Sequence, residues 1–257
     1  MTAILETRGL TKTFGAVTAV SALDLSVEAG SVVGLIGGNG AGKTTFINLV
    51  TGYLTPTAGS VHFDGRDVTG LVPRRITRLG LCRSFQIPQV FDSLTAYDNL
   101  LVGLGVVAIG RRAFVGSALG DRGPEEVAEE MLRRFRLDRY RDERAATLPE
   151  GVRKLLDIAM ALAVKPRILL LDEPTSGVSA DEKFALMDLV LDAIRADGVT
   201  VLFVEHDMEV VRRYVSRILA FYEGRVIADG APGEVLAHPE VRRLVVGEAR
   251  EGEEAAC

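Results

Sequence analysis

The sequence predicts an α/β fold with a helical segment set into it, and three observations carry that prediction. A short apolar run, Val32-Val33-Gly34-Leu35-Ile36, leads into a glycine-rich loop and then a helix-like stretch. A second apolar run, Ile168-Leu169-Leu170-Leu171, ends in Asp172-Glu173-Pro174. Between the two, from Gln86 to about Leu148, strand signals vanish and helical periodicity takes over.

The elements follow in order. The first 36 residues read as strands: Val17 to Val27 is rich in Val, Ala and Leu with partial alternation, and Val32 to Ile36 has the continuous apolar character of a strand buried on both faces. A helix is expected from Lys43 to about Tyr53, then a turn at Thr55-Pro56-Thr57-Ala58-Gly59, then a strand at Val61-His62-Phe63 closed by Asp64-Gly65. In the helical segment Pro124, Glu125 and Glu126 open a helix whose Val127, Met131, Leu132 and Phe135 share one face. Its acids come first and Arg133, Arg134 and Arg136 last, as the helix dipole favours. Strands return at Ile168–Leu171 and Val199–Val204. Between them Ser179-Ala180-Asp181-Glu182 reads as a capping box for a helix to about Arg195. Arg217–Tyr222, Gly224 and Arg225–Ala228 suggest a late hairpin, and the acidic tail from Glu248 is expected to fray.

At 257 residues, with 47% hydrophobic and 25% charged side chains, the chain has a globular composition, which excludes collagen-like and wholly disordered readings. A net charge of −5 argues against a bulk-basic nucleic-acid binder. Two cysteines, Cys82 and Cys257, cannot build a disulfide framework, so a reducing compartment is expected. Acidic and polar residues interrupt the first fifteen positions, unlike a signal peptide. The apolar run Leu100–Ile109 falls short of the roughly 20 residues of a membrane span, so a membrane role would need a partner.

Two constellations carry chemistry. Gly37-Gly38-Asn39-Gly40-Ala41-Gly42-Lys43-Thr44 fits G-x-x-x-x-G-K-[ST] between a predicted strand and a predicted helix, with Thr45 next on the helix. Glycines allow successive backbone N–H groups to turn around phosphate oxygens, and the helix N-terminus adds a favourable dipole. Lys43 is a point charge for the β and γ phosphates, and the Thr44 hydroxyl is a ligand for Mg²⁺. At the second strand's carboxyl end, where ligands bind in α/β sheets, Asp172 is placed to reach Mg²⁺ directly or through water. Glu173 is placed to accept a proton from an attacking water or to orient it.

With both constellations in hand, the chain resembles the ATP-binding cassette proteins, the nucleotide-hydrolysing subunits of ABC transporters, from about Leu5 to Gly247. The resemblance implies a P-loop NTPase core with an N-terminal antiparallel β-subdomain and an inserted helical lobe. The expected division is core at 1–86 and 159–247, lobe at 87–158 and tail at 248–257. It implies ATP and Mg²⁺ as ligands. It assigns Gln86, in Arg83-Ser84-Phe85-Gln86, to the glutamine that joins core to lobe and reaches the metal and γ-phosphate. It assigns His206, in Val204-Glu205-His206-Asp207, to the γ-phosphate contact, Phe14 to adenine stacking and Val178-Ser179-Ala180-Asp181 to the D-loop. Without the family pattern Phe14 reads equally as strand core, His206 as a structural histidine, and Gln89 stands close to Gln86 as a rival.

One motif departs from the family. Its signature loop, Leu-Ser-Gly-Gly-Gln, binds ATP held by the other subunit; here the position reads Leu148-Pro149-Glu150-Gly151-Val152. The helix expected at Arg153–Val164 looks intact, but the serine donor is gone and Glu150 brings negative charge. Two readings stand: a loop that tolerates drift because it works through backbone N–H groups, or an asymmetric pair with a second, intact ATPase. The segments Arg83–Gln86, Phe91–Leu100 and Val204–Glu248 resemble the ATPases of branched-chain amino acid importers, which take up amino acids, amides or urea. That resemblance implies polytopic permease subunits, a heterodimeric ATPase partner and, indirectly, a periplasmic or extracellular solute-binding protein. It implies no nucleic acid, and a place on the cytoplasmic face of the bacterial inner membrane. The ATPases of lipopolysaccharide export, and a subunit that binds ATP with little turnover, are the alternatives. The apolar stretch Ile87–Leu94 is either a groove for a helix of the membrane partner or ordinary lobe core.

Overall fold

The computed structural model describes residues 3–110 and 122–247, with the side chains of 106–110 excepted. The tail expected at 248–257 lies outside the described residues. The chain divides into two compact units, one made of 1–73 with 202–257, the other of 74–201.

The first unit holds two sheets. β1 (Ala3–Phe14) and β2 (Val17–Glu28) form an antiparallel hairpin, and β1 also pairs antiparallel with β4 (Ala58–Phe63), which carries the short β5 (Arg66–Asp67) at its edge. The order is β2-β1-β4-β5. Inward positions such as Leu5, Leu10, Val20, Val27, Val61 and Phe63 are buried while their neighbours alternate outward, the pattern of a sheet with one covered face. In the second sheet β3 (Val32–Ile36) runs parallel to β9 (Arg217–Tyr222), and β9 turns back antiparallel into β10 (Arg225–Gly230), the hairpin expected from the sequence. β8 (Thr200–Val204), every residue of it buried, flanks β3 on the other side. A loop and α1 (Lys43–Val50) follow β3; Phe46 of α1 packs its ring 5.6 Å from Phe221 of β9.

α1 ends at Val50, three residues before the expected Tyr53. Thr51 caps it and Gly52 adopts a left-handed φ of 77°, a conformation that stops a helix.

The second unit pairs β6 (Leu81–Ser84) with β7 (Ile168–Asp172) in parallel, Leu81 opposite Ile168 and Ser84 opposite Leu171. α2 (Pro73–Leu79) leads into β6. The helical stretch contains α3 (Ala96–Gly110), α4 (Pro124–Arg134) and α5 (Glu150–Ala163), which pack on one another and bury Leu100, Leu104, Met131, Leu132, Leu156 and Ala159. α4 has Pro124 in its first turn, acids at its start and arginines at its end, and buries Val127, Met131 and Leu132 as the spacing predicts. α6 (Lys183–Ala196) follows the capping-box sequence. Its two side chains bond each other, Ser179 Oγ donating to Glu182 Oε2 at 2.7 Å, while the backbone N–H of Lys183 closes the turn onto Ser179 O at 3.0 Å. α7 (Met208–Tyr214), α8 (Pro232–Ala237) and the short turns from Pro239 to Val246 complete the first unit.

Candidate functional site

In the first unit the glycine-rich loop is a nest held from behind by backbone. Gly42, at φ 105°, precedes α1, and a Cβ there would stand 2.5 Å from Ala19 O and 3.2 Å from Gly224 Cα. Gly37 is equally hemmed in: a Cβ would stand 2.5 Å from Phe221 O. Ala41 N donates to Gly38 O at 3.2 Å, and Gly224 N donates to Ala41 O at 2.9 Å. The loop is therefore cast against two neighbouring strands. Lys43 is buried, and its ammonium donates to Gly37 O at 2.5 Å and Gly38 O at 3.1 Å, closing the ring. Thr44 is exposed and Thr45 half-buried on the first turn of α1, whose leading N–H groups have no partner within a helix. A ring of N–H donors, an ammonium at its centre and a helix N-terminus form an anion site of the polyphosphate kind.

Two more expected residues lie in this unit. His206 is exposed just beyond β8. Its backbone N–H donates to the carboxylate of buried Glu205 at 3.0 Å, and Asp207 caps α7 by accepting from Glu209 N at 2.9 Å. The peptide on both sides of His206 is thus fixed. Phe14 ends β1 with 48% of its surface exposed and Lys12 Nζ 5.1 Å from its ring centroid, so it is a presented aromatic face and not strand core.

The second unit brings the carboxylates and the glutamine together. β7 delivers Asp172 and Glu173 at its carboxyl end, and Glu173 has a left-handed φ of 48°. A non-glycine residue there stores on the order of 1–3 kcal/mol of strain, an arrangement concentrated at functional positions. Gln86 Nε2 donates to Glu173 Oε2 at 2.6 Å, on an exposed surface. Gln89, the rival, bonds Ile87 O instead. Asp172 is held by Arg83, Nη2 to Oδ2 at 2.5 Å, with both side chains about nine-tenths buried, and the Arg83 guanidinium lies 4.7 Å from the Phe85 ring centroid.

The Thr44 hydroxyl in the first unit, and the Gln86 amide oxygen and Asp172 carboxylate in the second, are each hard oxygen donors of the kind that Mg²⁺ takes.

The departing motif keeps its helix. Leu148 is buried, Pro149 caps α5 and Glu150 is its first residue, so the helix begins three residues earlier than expected. Glu150 folds over the backbone of Gly177, where a Cβ would stand 2.5 Å from its Oε1.

Several residues of the second unit carry no motif. Lys154 and Asp157, both on α5 and both buried, bond the segments that carry Glu173 and Gln86. The signal in the sequence is a lysine and an aspartate three apart in the run Lys154-Leu155-Leu156-Asp157-Ile158-Ala159, where polar groups enter an apolar face.

Comparison with known proteins gives the family. The family described as "ABC transporter" matches residues 20–176. The high-affinity branched-chain amino acid transport ATP-binding protein BraF of Pseudomonas aeruginosa is 37% identical, over 96% of this chain and 98% of that protein. The probable branched-chain amino acid transport ATP-binding protein LivG of Archaeoglobus fulgidus is 36% identical, over 95% of each. Among solved structures, the ADP conformation of MJ1267, an ATP-binding cassette of an ABC transporter, superposes with a TM-score of 0.82 at 32% identity, covering 96% of this chain and 100% of that one. A post-hydrolysis dimer of the cassette MJ0796 bound to ADP and Pi superposes at 0.75 with 27% identity, covering 89% of this chain and 98% of that one. With a glycine-rich loop between strand and helix, a strand-end carboxylate pair and this likeness along nearly its whole length, the chain belongs to the ABC transporter family.

Proposed function

We propose that the chain binds and hydrolyses ATP to drive import of branched-chain or related amino acids, or amides or urea, as one of two ATPase subunits on a membrane permease. The observation that carries this reading is the Gln86–Glu173 hydrogen bond at 2.6 Å: a carboxylate in a strained backbone position, met by an amide that can hold a water against it.

The roles follow from chemistry. The 37–45 loop binds the β and γ phosphates through backbone N–H groups and Lys43, with Phe14 against the adenine. Glu173 accepts the proton of the attacking water, Gln86 orients that water, and His206 donates to the γ-phosphate. The family resemblance assigns Thr44, Gln86 and, directly or through water, Asp172 to Mg²⁺, which would supply charge neutralisation on the phosphate oxygens.

Among the described residues no helix is long and apolar enough to cross a membrane, so attachment to the cytoplasmic face of the membrane rests on partner subunits. Ile87 and Phe91, 75% and 48% exposed, support the segment 87–94 as the seat of a permease helix. The names of the relatives favour amino-acid import over lipopolysaccharide export. The Leu148–Val152 loop supports a heterodimer, since two copies of this chain would make two weak sites.

Affinity purification from detergent-solubilised membranes tests the assembly. Two polytopic proteins and a second ATPase are expected; recovery with ribosomal or nucleic-acid partners would remove the transport reading. Glu173→Gln should retain ATP binding and lower turnover by about 10²–10⁴. If this change and its counterpart in the partner cost equal activity, the asymmetry is wrong.

A further inference from the structure

α5 begins at the 148–152 loop and carries two buried ionisable side chains one turn apart, Lys154 at 3% and Asp157 at 7% exposure. A spacing of three puts both on the same face of the helix. Lys154 Nζ donates to Glu173 O at 3.0 Å and also to Ser176 O. Its ammonium therefore fastens both ends of the turn that starts at the candidate catalytic carboxylate. Asp157 works in the other direction. Its Oδ2 accepts from Ser84 Oγ at 2.5 Å, its Oδ1 from Gln89 N at 3.0 Å, and its carboxylate also takes the backbone N–H of Phe85. Those three donors bracket Gln86 on both sides. One helix thus holds the backbone of Glu173 and the residues on either side of Gln86, the pair whose side chains meet at 2.6 Å.

Burying a lysine and an aspartate is unfavourable unless their hydrogen bonds are complete. An apolar pair would pack against α5 without that cost, so general packing does not call for these side chains. What they supply is fixed position for two loops that lack regular structure at residues 85–91 and 173–179.

We propose that Lys154 and Asp157 are positioning residues that set the Gln86–Glu173 pair from α5, so that the pose of the 148–152 loop is passed to the hydrolytic groups of the same chain. The proposal rests on Glu173 and Gln86 serving hydrolysis, as argued above. Neither Lys154 nor Asp157 touches the nucleotide in this account. Their loss should lower the rate of the chemical step and leave nucleotide affinity alone.

The test uses the full chain in its membrane complex, with turnover expressed per nucleotide-binding site so that unfolded chain is not counted. Lys154→Met and Asp157→Asn should each lower kcat about tenfold with KM for ATP changed less than about twofold. Lys154→Arg, which keeps a cation that can reach two carbonyls, should recover most of the loss. Wild-type kcat in Lys154→Met and Asp157→Asn, alongside a Glu173→Gln variant that has lost turnover, would overturn the positioning role and leave the ATPase reading standing. A loss in KM with kcat intact would also overturn it. Equal turnover in Glu173→Gln and wild type would overturn the hydrolytic reading, and this proposal with it.

Discussion

Replacing Gly42 by alanine tests whether the phosphate loop is held by the strands behind it. Two costs apply. An alanine at φ 105° sits in left-handed space, at about 1–2 kcal/mol. Its Cβ would stand 2.5 Å from Ala19 O and 3.2 Å from Gly224 Cα, both backbone atoms that no rotamer change can move. Overpacking of that kind adds about 1–3 kcal/mol. Gly40→Ala is the matched control, because Gly40 has φ 78° but nothing within 4 Å of the added methyl. Removing a glycine also restricts the unfolded chain, a gain of about 0.4–1 kcal/mol that is common to both variants and cancels between them. Gly42→Ala should therefore be less stable than Gly40→Ala by about 2 kcal/mol. In urea, at a slope of about 2 kcal/mol/M, that is a midpoint about 1 M lower. ATP titration should show the same order, since relief of the clash must push the Lys43 and Thr44 N–H groups off their ring. Equal midpoints for the two variants would refute the argument that backbone contact, and not φ alone, fixes this loop.

Two further predictions concern buried charge. Arg83→Met leaves Asp172 charged and about nine-tenths buried, a loss of about 3 kcal/mol, which for a chain of this size lowers Tm by about 6–12 °C. Adding Asp172→Asn should recover part of that loss, and a double variant no more stable than Arg83→Met would show that the ion pair is not what Arg83 contributes. Burial raises the Asp157 pKa above 3.8, against the opposing bonds from Ser84, Gln89 and Phe85 and the charge of Lys154. At pH between the unfolded and folded values, the folded chain holds a proton that the unfolded chain has released. The contribution of Asp157 is complete below the unfolded value and is lost as pH rises through the folded one. The stability of wild type relative to Asp157→Asn should fall as pH rises from about 3.8, and chemical unfolding at several pH values reads it. A difference that rises with pH would reverse the sign assigned to burial.

The strand–loop–helix at 32–50 and the acids at 172–173 were legible because each demands a local pattern: a continuous apolar run, glycines where the chain must turn, a carboxylate at a strand end. Gln86 was legible only through the family pattern, since a lone glutamine has no periodicity to read. Its bond to Glu173 spans 87 residues, and no local rule reports it. The same holds for Arg83 with Asp172 and Ser84 with Asp157, which become neighbours because β6 and β7 pair in parallel and α5 packs beside them. The helix at Lys183 was readable from Ser179 and Glu182, but not its cap geometry, because two side chains that can bond backbone can also bond each other. α5 starts at Glu150, three residues before the expected Arg153, with Pro149 as its cap, where a missing N–H costs nothing.

The altered loop ahead of α5 acquires a physical sense from the same contacts. A glutamate carboxylate beside a triphosphate repels it. Here the Glu150 carboxylate lies over Gly177, in the turn that Lys154 grips from one helical turn further on. Gly177, at φ 75° and without a side chain, leaves the room for it. An acid at the first residue of a helix is also favoured by the dipole, by about 0.3–1 kcal/mol. Glu150 and Lys154, four residues apart, share one face of α5: Lys154 bonds the carbonyls of Glu173 and Ser176, and Glu150 lies over Gly177. The Glu150 carboxylate is exposed where it stands over Gly177, so a nucleotide approaching the loop would meet its charge together with the backbone N–H groups of α5, in keeping with the heterodimer proposed from this loop.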